Sequence, residues 1–326
     1  MRSTLPSMRV VLGTSIGVLL GLAGRPLLRF LAVSGILLAC LVSHAEAQDE
    51  LQYKFKVGDS FRYESDFKTG ATAQGGVAVR IELQFEGDWS VTAVDAGGKA
   101  KITLKVSRVR FSAFLQGGEV HFDSQNKKPA EAAGGQMAVI FAPFLNSVTG
   151  LEITITVDPQ GTITDLKLPK KLLAGLREMH GGPGTGETFA SEGFAHFLTL
   201  AIQPLPKGAS AKGNAWERTA DFRMRSGQMK IETKYTDAGP ERRDGKQLRR
   251  ISVKPTLSIG KGRIAAIVSV KSQKVPAGFF LFDPAAGRLV EYRLTQDVEQ
   301  EVPFGDTKQL QDVHSTWVVK MLDKAK

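Results

Sequence analysis

The chain has a single cysteine, Cys40, and it falls in the N-terminal stretch. The apolar run Phe30–Val42 follows Arg25 and Arg29 and ends in Ala45-Glu46-Ala47, a small-x-small cleavage pattern. Cutting after Ala47 leaves a mature chain without a thiol, which excludes cysteine catalysis, disulfide cross-links and thiolate zinc sites. Histidine is scarce too. His121, His180, His196 and His314 follow the leader, and no two of them stand within four residues, so no His-x-x-x-His metal pair exists. No Gly-x-Ser-x-Gly nucleophile turn occurs after residue 47. Catalysis therefore has few of its usual carriers, and the reading leans away from an enzyme.

Residues 1–47 are expected to be a signal peptide and 48–326 the exported domain. An upstream apolar stretch, Val10–Gly24, is separated from the second by Gly24-Arg25-Pro26. Neither stretch reaches the ~20 apolar residues that cross a bilayer as a helix. Leu37-Leu38-Ala39-Cys40 resembles a lipobox, so lipid anchoring at Cys40 is the minority alternative; Leu41-Val42 continue the apolar run where a lipobox would end it. The mature chain is expected in the periplasm or outside the cell. Its length suffices to bury ~70–75% of its unfolded surface, so a core forms without disulfides. The net charge of +10 for the whole chain favours anionic contacts without specifying one.

What the sequence has in quantity is period-two alternation. Val77, Val79, Ile81, Leu83, Phe85, Trp89 and Val91 share one phase through Gly87, about 50 Å of strand at ~3.3 Å per residue. A strand so long must twist, so a strongly curved antiparallel sheet follows, with Gly87 at its bend. After the turn Asp95–Gly98, Ile102, Leu104 and Val106 change phase to Val109 and Phe111, which predicts a β-bulge near Ser107-Arg108. The middle of the chain changes period. Met137, Ile140, Phe141, Phe144, Leu145 and Val148 share a helical face, Leu172–Met179 predict a short helix, and Glu192–Leu205 another. The Gly-rich His180–Gly186 reads as a loop between them. Strands then resume to the C-terminus, with turns at Asp158–Gly161, Asp244-Gly245 and Asp283–Gly287. The fold class is α+β, mainly β: long, curved antiparallel sheet, with two or three amphipathic helices from the middle packing on it. A loose echo between Gly58–Tyr63 and Gly213–Trp216 is consistent with a duplicated β unit, halves 51–206 and 207–326.

Tempting motifs read better as structure. Gly181–Thr188 has the spacing of a phosphate-binding loop, but Glu187 stands where lysine must meet the phosphates. Glu291 and Glu299, a formal carboxylate pair, are expected to face solvent beside Val290, Tyr292 and Leu294. No cofactor and no metal are expected. The one concentrated charge feature is Arg242, Arg243, Lys246, Arg249 and Arg250 at a hairpin tip, the candidate contact for an anionic envelope surface. Without interleaved aromatics it is not a nucleic-acid site.

The mature start, Tyr53–Tyr63, with Phe122-Asp123-Ser124 and Gly213-x-x-Trp216, resembles a family of exported β-rich proteins with a domain of unknown function, common in planctomycete bacteria. That resemblance implies an exported β-rich fold and brings no activity or catalytic residues. The function expected is a non-catalytic exported binding or structural protein of the cell envelope. The first alternative is a periplasmic carrier of a lipid or other apolar ligand, lined by Phe141, Phe144, Phe194, Phe197 and Leu198. A secreted hydrolase is the second.

Overall fold

The alternating segments do form one sheet. The computed structural model describes residues 49–73, 78–115, 118–126, 135–178, 191–224, 227–260, 269–304 and 307–322, within a compact unit running from Ala47 to Lys326. The leader, the loop His180–Gly186 and the strand expected at Ile264–Val268 lie outside the described residues.

The long strands are β2 (Ser60–Ala73), β3 (Ala78–Val94), β4 (Ala100–Leu115), β9 (Ala215–Met224), β10 (Gly227–Arg243), β11 (Lys246–Ile259), β12 (Ser269–Asp283), β13 (Arg288–Phe304) and β14 (Thr307–Leu322). Shorter ones are β1 (Asp49–Glu50), β5 (Gly118–Asp123), β6 (Glu152–Val157), β7 (Ile163–Lys167) and β8 (Ala209–Ser210). Twelve of them make a single sheet in the order β7-β6-β4-β3-β2-β14-β13-β12-β11-β10-β9, with β5 also on β4, while β1 pairs with β8 apart from it. Every pairing is antiparallel. The first and last long strands, β2 and β14, meet near the middle.

The bulge falls where the phase changes. Glu86 pairs with Arg108 and Gly87 with Val106, so Ser107 is the extra residue, its hydroxyl donating to the Glu86 carbonyl at 3.1 Å. Gly87 lies close under Leu104; a Cβ there would stand 2.6 Å from Leu104 Cδ1. At the β10–β11 tip, Asp244 (φ 50°) and Gly245 (φ 75°) both take the left-handed conformation of a type I′ hairpin.

Among the described residues there are three helices, α1 (Gly135–Val148), α2 (Lys170–Glu178) and α3 (Ser191–Leu198). They pack on one face of the sheet, hereafter the inner face. Phe141 of α1 meets Phe111 of β4 at 4.7 Å between centroids, and Phe194 and Phe197 of α3 meet Phe85 of β3 at 5.7 and 5.3 Å. α2 rests on α1 through Gly175, where a Cβ would stand 2.6 Å from the Pro143 carbonyl oxygen and 2.5 Å from Ser147 Oγ.

Helix α3 ends at Leu198, earlier than the apolar spacing through Leu205 suggests. The Thr199 hydroxyl donates to the carbonyls of Ala195 and His196, ending the helix. Pro204 cannot continue it, and the backbone beyond pairs elsewhere: Gln203 N–H with the Tyr53 hydroxyl and Leu205 N–H with the Gln160 carbonyl. This segment, with Leu51–Phe55, covers the ends of the strands that carry Tyr63, Tyr235, Phe280 and Phe282.

Candidate functional site: the open part of the inner face

Burial along the inner face falls from one end to the other of β10, β11, β12 and β14. On β10 Tyr235 is buried, whereas Ile231 and Met229 are half-buried. On β11 Ile251, Val253 and Pro255 are buried, and Leu257 and Ile259 are half-buried. On β12 Phe280 and Phe282 give way to Val275 and Val270, and on β14 Val319 gives way to Val313. Half-buried residues are cross-strand neighbours, Ile231 with Leu257, Met229 with Ile259, and Val313 with Ala71, while Val298 on the other side of Val313 is buried.

This stretch is chemically one-sided. Its inward positions on β10, β11, β13, β14, β2 and β3 are mainly apolar, among them Ile231, Met229, Pro255, Leu257, Ile259, Val298, Val313, Ala71 and Val79; Thr233 and the hydrogen-bonded pair Gln300–Gln311 share this phase, and on the edge strand β9 Arg218 takes the inward place opposite Thr233. The outward positions between them carry Lys230, Glu232, Lys234, Lys254, Asp297, Glu299, Asp312, Lys68 and Arg80. A sheet face bathed only by water would be expected to carry charge on both sides.

A polar row separates the helix-covered part from this open part. Gln296 on β13 lies opposite Ser315 on β14, and Ser315 opposite Thr69 on β2. Leu294, Trp317 and Phe67 form the row on the covered side, and Val298, Val313 and Ala71 the row on the open side. The Thr69 and Ser315 hydroxyls are 2.9 Å apart and hydrogen-bonded. Gln273 of β12 joins the row from the other flank, its Nε2 donating to Gln296 Oε1 at 3.1 Å.

Gln273 sits where the sheet parts. β11 and β12 pair only from Arg249–Phe282 to Ser252–Phe279. Beyond that, Pro255 and Pro276 lack the N–H that a ladder needs, and β12 bulges between Lys274 and Ala277. The Gln273 side chain takes over, accepting from the Leu257 N–H at 2.8 Å and donating to the Pro255 carbonyl at 3.1 Å. Gly278 permits the close approach at this point; a Cβ would stand 2.0 Å from the Val253 carbonyl oxygen.

The side chains expected to line an apolar site lie in the covered part instead. Phe141, Phe144, Phe194, Phe197 and Leu198 are all buried core, Phe144 at 0% exposure, and the rings of Phe144 and Phe194 meet edge to face at 5.4 Å. A cleft beside Leu198, shared with Tyr63, Phe85 and Trp89, has a volume of about 10 Å³, room for one water.

The basic cluster is likewise not one surface. Arg249 shares the inward phase of Ile251, is 6% exposed, and its Nε donates to both Asp237 oxygens at 2.8 and 2.9 Å. Ser210 Oγ and the Gly239 N–H complete the Asp237 shell. Arg250 pairs with Glu241 at 2.8 Å and lies over the Phe279 ring, and Arg243 pairs with Glu291. Only Arg242 and Lys246 remain exposed without an opposite charge beside them among the described residues. Glu291, expected in solvent, is buried between Arg243 and Arg293.

A cleft of about 370 Å³ lies on the outer face between β2, β3, β4 and β5, lined by Asp66, Lys68, Glu82, Arg110, His121 and Asp123 among others. Partial burial raises the Asp66 carboxyl, while its hydrogen bond from Arg108 lowers that of Asp123. The cleft holds both signs of charge side by side, largely paired, and Ser112 and His121 line it as a cross-strand pair of β4 and β5. Among the described residues no cluster of His, Cys, Asp or Glu is disposed to hold a metal ion, and no helix is long and apolar enough to cross a membrane.

No protein-family model and no curated protein matches the chain. Among solved structures it is similar to lipovitellin, in a study of its lipid–protein interactions, with 12% identity and a TM-score of 0.44 over 83% of this chain and 26% of that one. DynF of the dynemicin biosynthesis pathway of Micromonospora chersina has 6% identity and a TM-score of 0.21, covering 87% and 92% of the two chains. The translocator domain of the autotransporter NalP from Neisseria meningitidis has 8% identity and a TM-score of 0.18, covering 90% and 97%. The chain thus spans about a quarter of the lipovitellin chain, and at these scores the likenesses carry no functional argument.

Proposed function

We propose that this chain is a non-catalytic exported binding protein of the cell envelope, which holds an apolar ligand against the open part of its inner face. The observation that carries the reading is the contrast within that face. Aliphatic pairs such as Ile231–Leu257 and Met229–Ile259 stay half-exposed and uncharged, while the outward positions of the same strands are densely charged. Exposed apolar patches of this kind mark binding surfaces. Export by the leader, and membership of the planctomycete family that Tyr53–Tyr63 resembles, belong to the same proposal.

Diphenylhexatriene, a hydrocarbon that fluoresces in apolar surroundings, tests it on the purified mature chain. Saturable fluorescence is expected, and Leu257→Lys should lower it at least tenfold with the far-ultraviolet dichroism unchanged. A wild-type chain that gives no signal would overturn the reading. So would an enzymatic turnover abolished by one point substitution.

A further inference from the structure

We infer that the ligand is an acyl lipid, whose carbonyl or carboxylate oxygen is received by the polar row Gln296–Ser315–Thr69. This rests on the proposed function and names the class of ligand for the same site.

The inference follows from counting donors along the row. The Leu257 N–H is a donor, so the Gln273 atom that meets it must be the amide oxygen, Oε1. That fixes the other end of the Gln273 amide as Nε2, which donates to the Pro255 carbonyl and to Gln296. The Gln296 atom receiving that bond must be its oxygen. Both N–H bonds of Gln296 Nε2 are left, and they have no partner among the described residues. Ser315 and Thr69 share one hydrogen bond between two hydroxyls, so one hydroxyl proton is also left over. The row therefore holds three unspent protons, beside neutral acceptors that remain on Gln296 Oε1 and the two hydroxyls, and it contains no carboxylate.

Spare donors beside a mainly aliphatic surface suit a molecule that joins a hydrocarbon chain to an acceptor oxygen. Hydrocarbon leaves the donors unmet, which is costly where water is displaced. A cationic amphiphile finds no carboxylate in the row to balance its charge. An acyl chain ending in a carboxylate or an ester lays its tail along Val313, Val298, Leu257 and Ile231 and brings an acceptor oxygen to Gln296. The tail supplies affinity and the row fixes its direction.

Competition against bound diphenylhexatriene provides the test, using dodecanoic acid, methyl dodecanoate and dodecane on the mature chain. Gln296→Leu and Thr69→Val should each weaken dodecanoate and the methyl ester about tenfold and leave dodecane and the probe unchanged. Gln296→Glu, which turns donors into a charge, should abolish dodecanoate competition and retain the probe. Loss of the acid alone assigns a carboxylate; loss of the acid and ester together assigns the carbonyl. If all three variants bind every competitor as the wild type does, the row is only structural and the inference falls while the proposed function stands. If the wild type fails to bind the probe, the proposed function falls first.

Discussion

The two parts of the inner face are built from the same strands by opposite means. In the covered part, aromatic rings from helices α1 and α3 interlock with Phe67, Phe85 and Phe111, and polar groups appear only in closed networks such as Asp237–Arg249–Ser210. In the open part the side chains are mainly aliphatic, the ladder is broken between β11 and β12, and the polar row has donors to spare. Tight packing leaves the first region nothing to do except hold the chain together. The second contributes little to that task, which on the proposed function leaves it for the ligand.

That division makes substitutions in the two parts behave differently. Phe144→Ala should give the largest loss of stability, about 3–5 kcal/mol in urea unfolding, because a fully buried ring leaves a cavity. A cost below about 1 kcal/mol would mean that the helices are not integral to the core. Arg249→Met should cost about 3 kcal/mol by leaving Asp237 buried without its partner, and Asp237→Leu in the same chain should return most of it. Next comes Gln273→Ala, at about 1–2 kcal/mol, since the Leu257 N–H and Pro255 carbonyl lose their partner together. Hydrogen exchange at Leu257 should accelerate in that variant while exchange at Ile251 does not.

Leu257→Ala, in the open part, should cost under about 1 kcal/mol, because the side chain is already partly in water, yet reduce probe binding severalfold. The smallest effect is expected on the outer face at Asp123. Its carboxyl is held below the ordinary range by Arg108, so the pair stabilises the fold above the unfolded carboxylate pKa and loses that contribution as pH falls through the lowered folded value. Asp123→Asn should be less stable than wild type at neutral pH and converge with it in acid; equal stability at neutral pH would assign the pair no role.

Much of this was legible in the residues. Alternation located the long strands, the phase change after Val106 marked Ser107 as the bulge, and Asp-Gly marked the β10–β11 turn. Local chemistry sets each of these. The end of α3 was not legible because Leu205 keeps the apolar spacing while Tyr53, far away in sequence, captures the backbone. Arg249 stands in the inward phase of Ile251 and Val253, and a basic run hid that parity. The polar row is visible in the same way, as a polar residue between apolar ones of the same phase: Leu294-x-Gln296-x-Val298, Val313-x-Ser315-x-Trp317 and Phe67-x-Thr69-x-Ala71. Only the pairing of β14 with β2 shows that the three interruptions coincide.

That pairing has a further consequence for how the molecule is made. Thr69 meets Ser315 across 246 residues, so β2 keeps one bare edge until almost the last residue of the chain has arrived. Sheets closed by such distant partners assemble slowly, and an unpaired edge recruits neighbours in the meantime. While the chain is made amino end first, self-association at the β2 edge competes with closure until β14 follows.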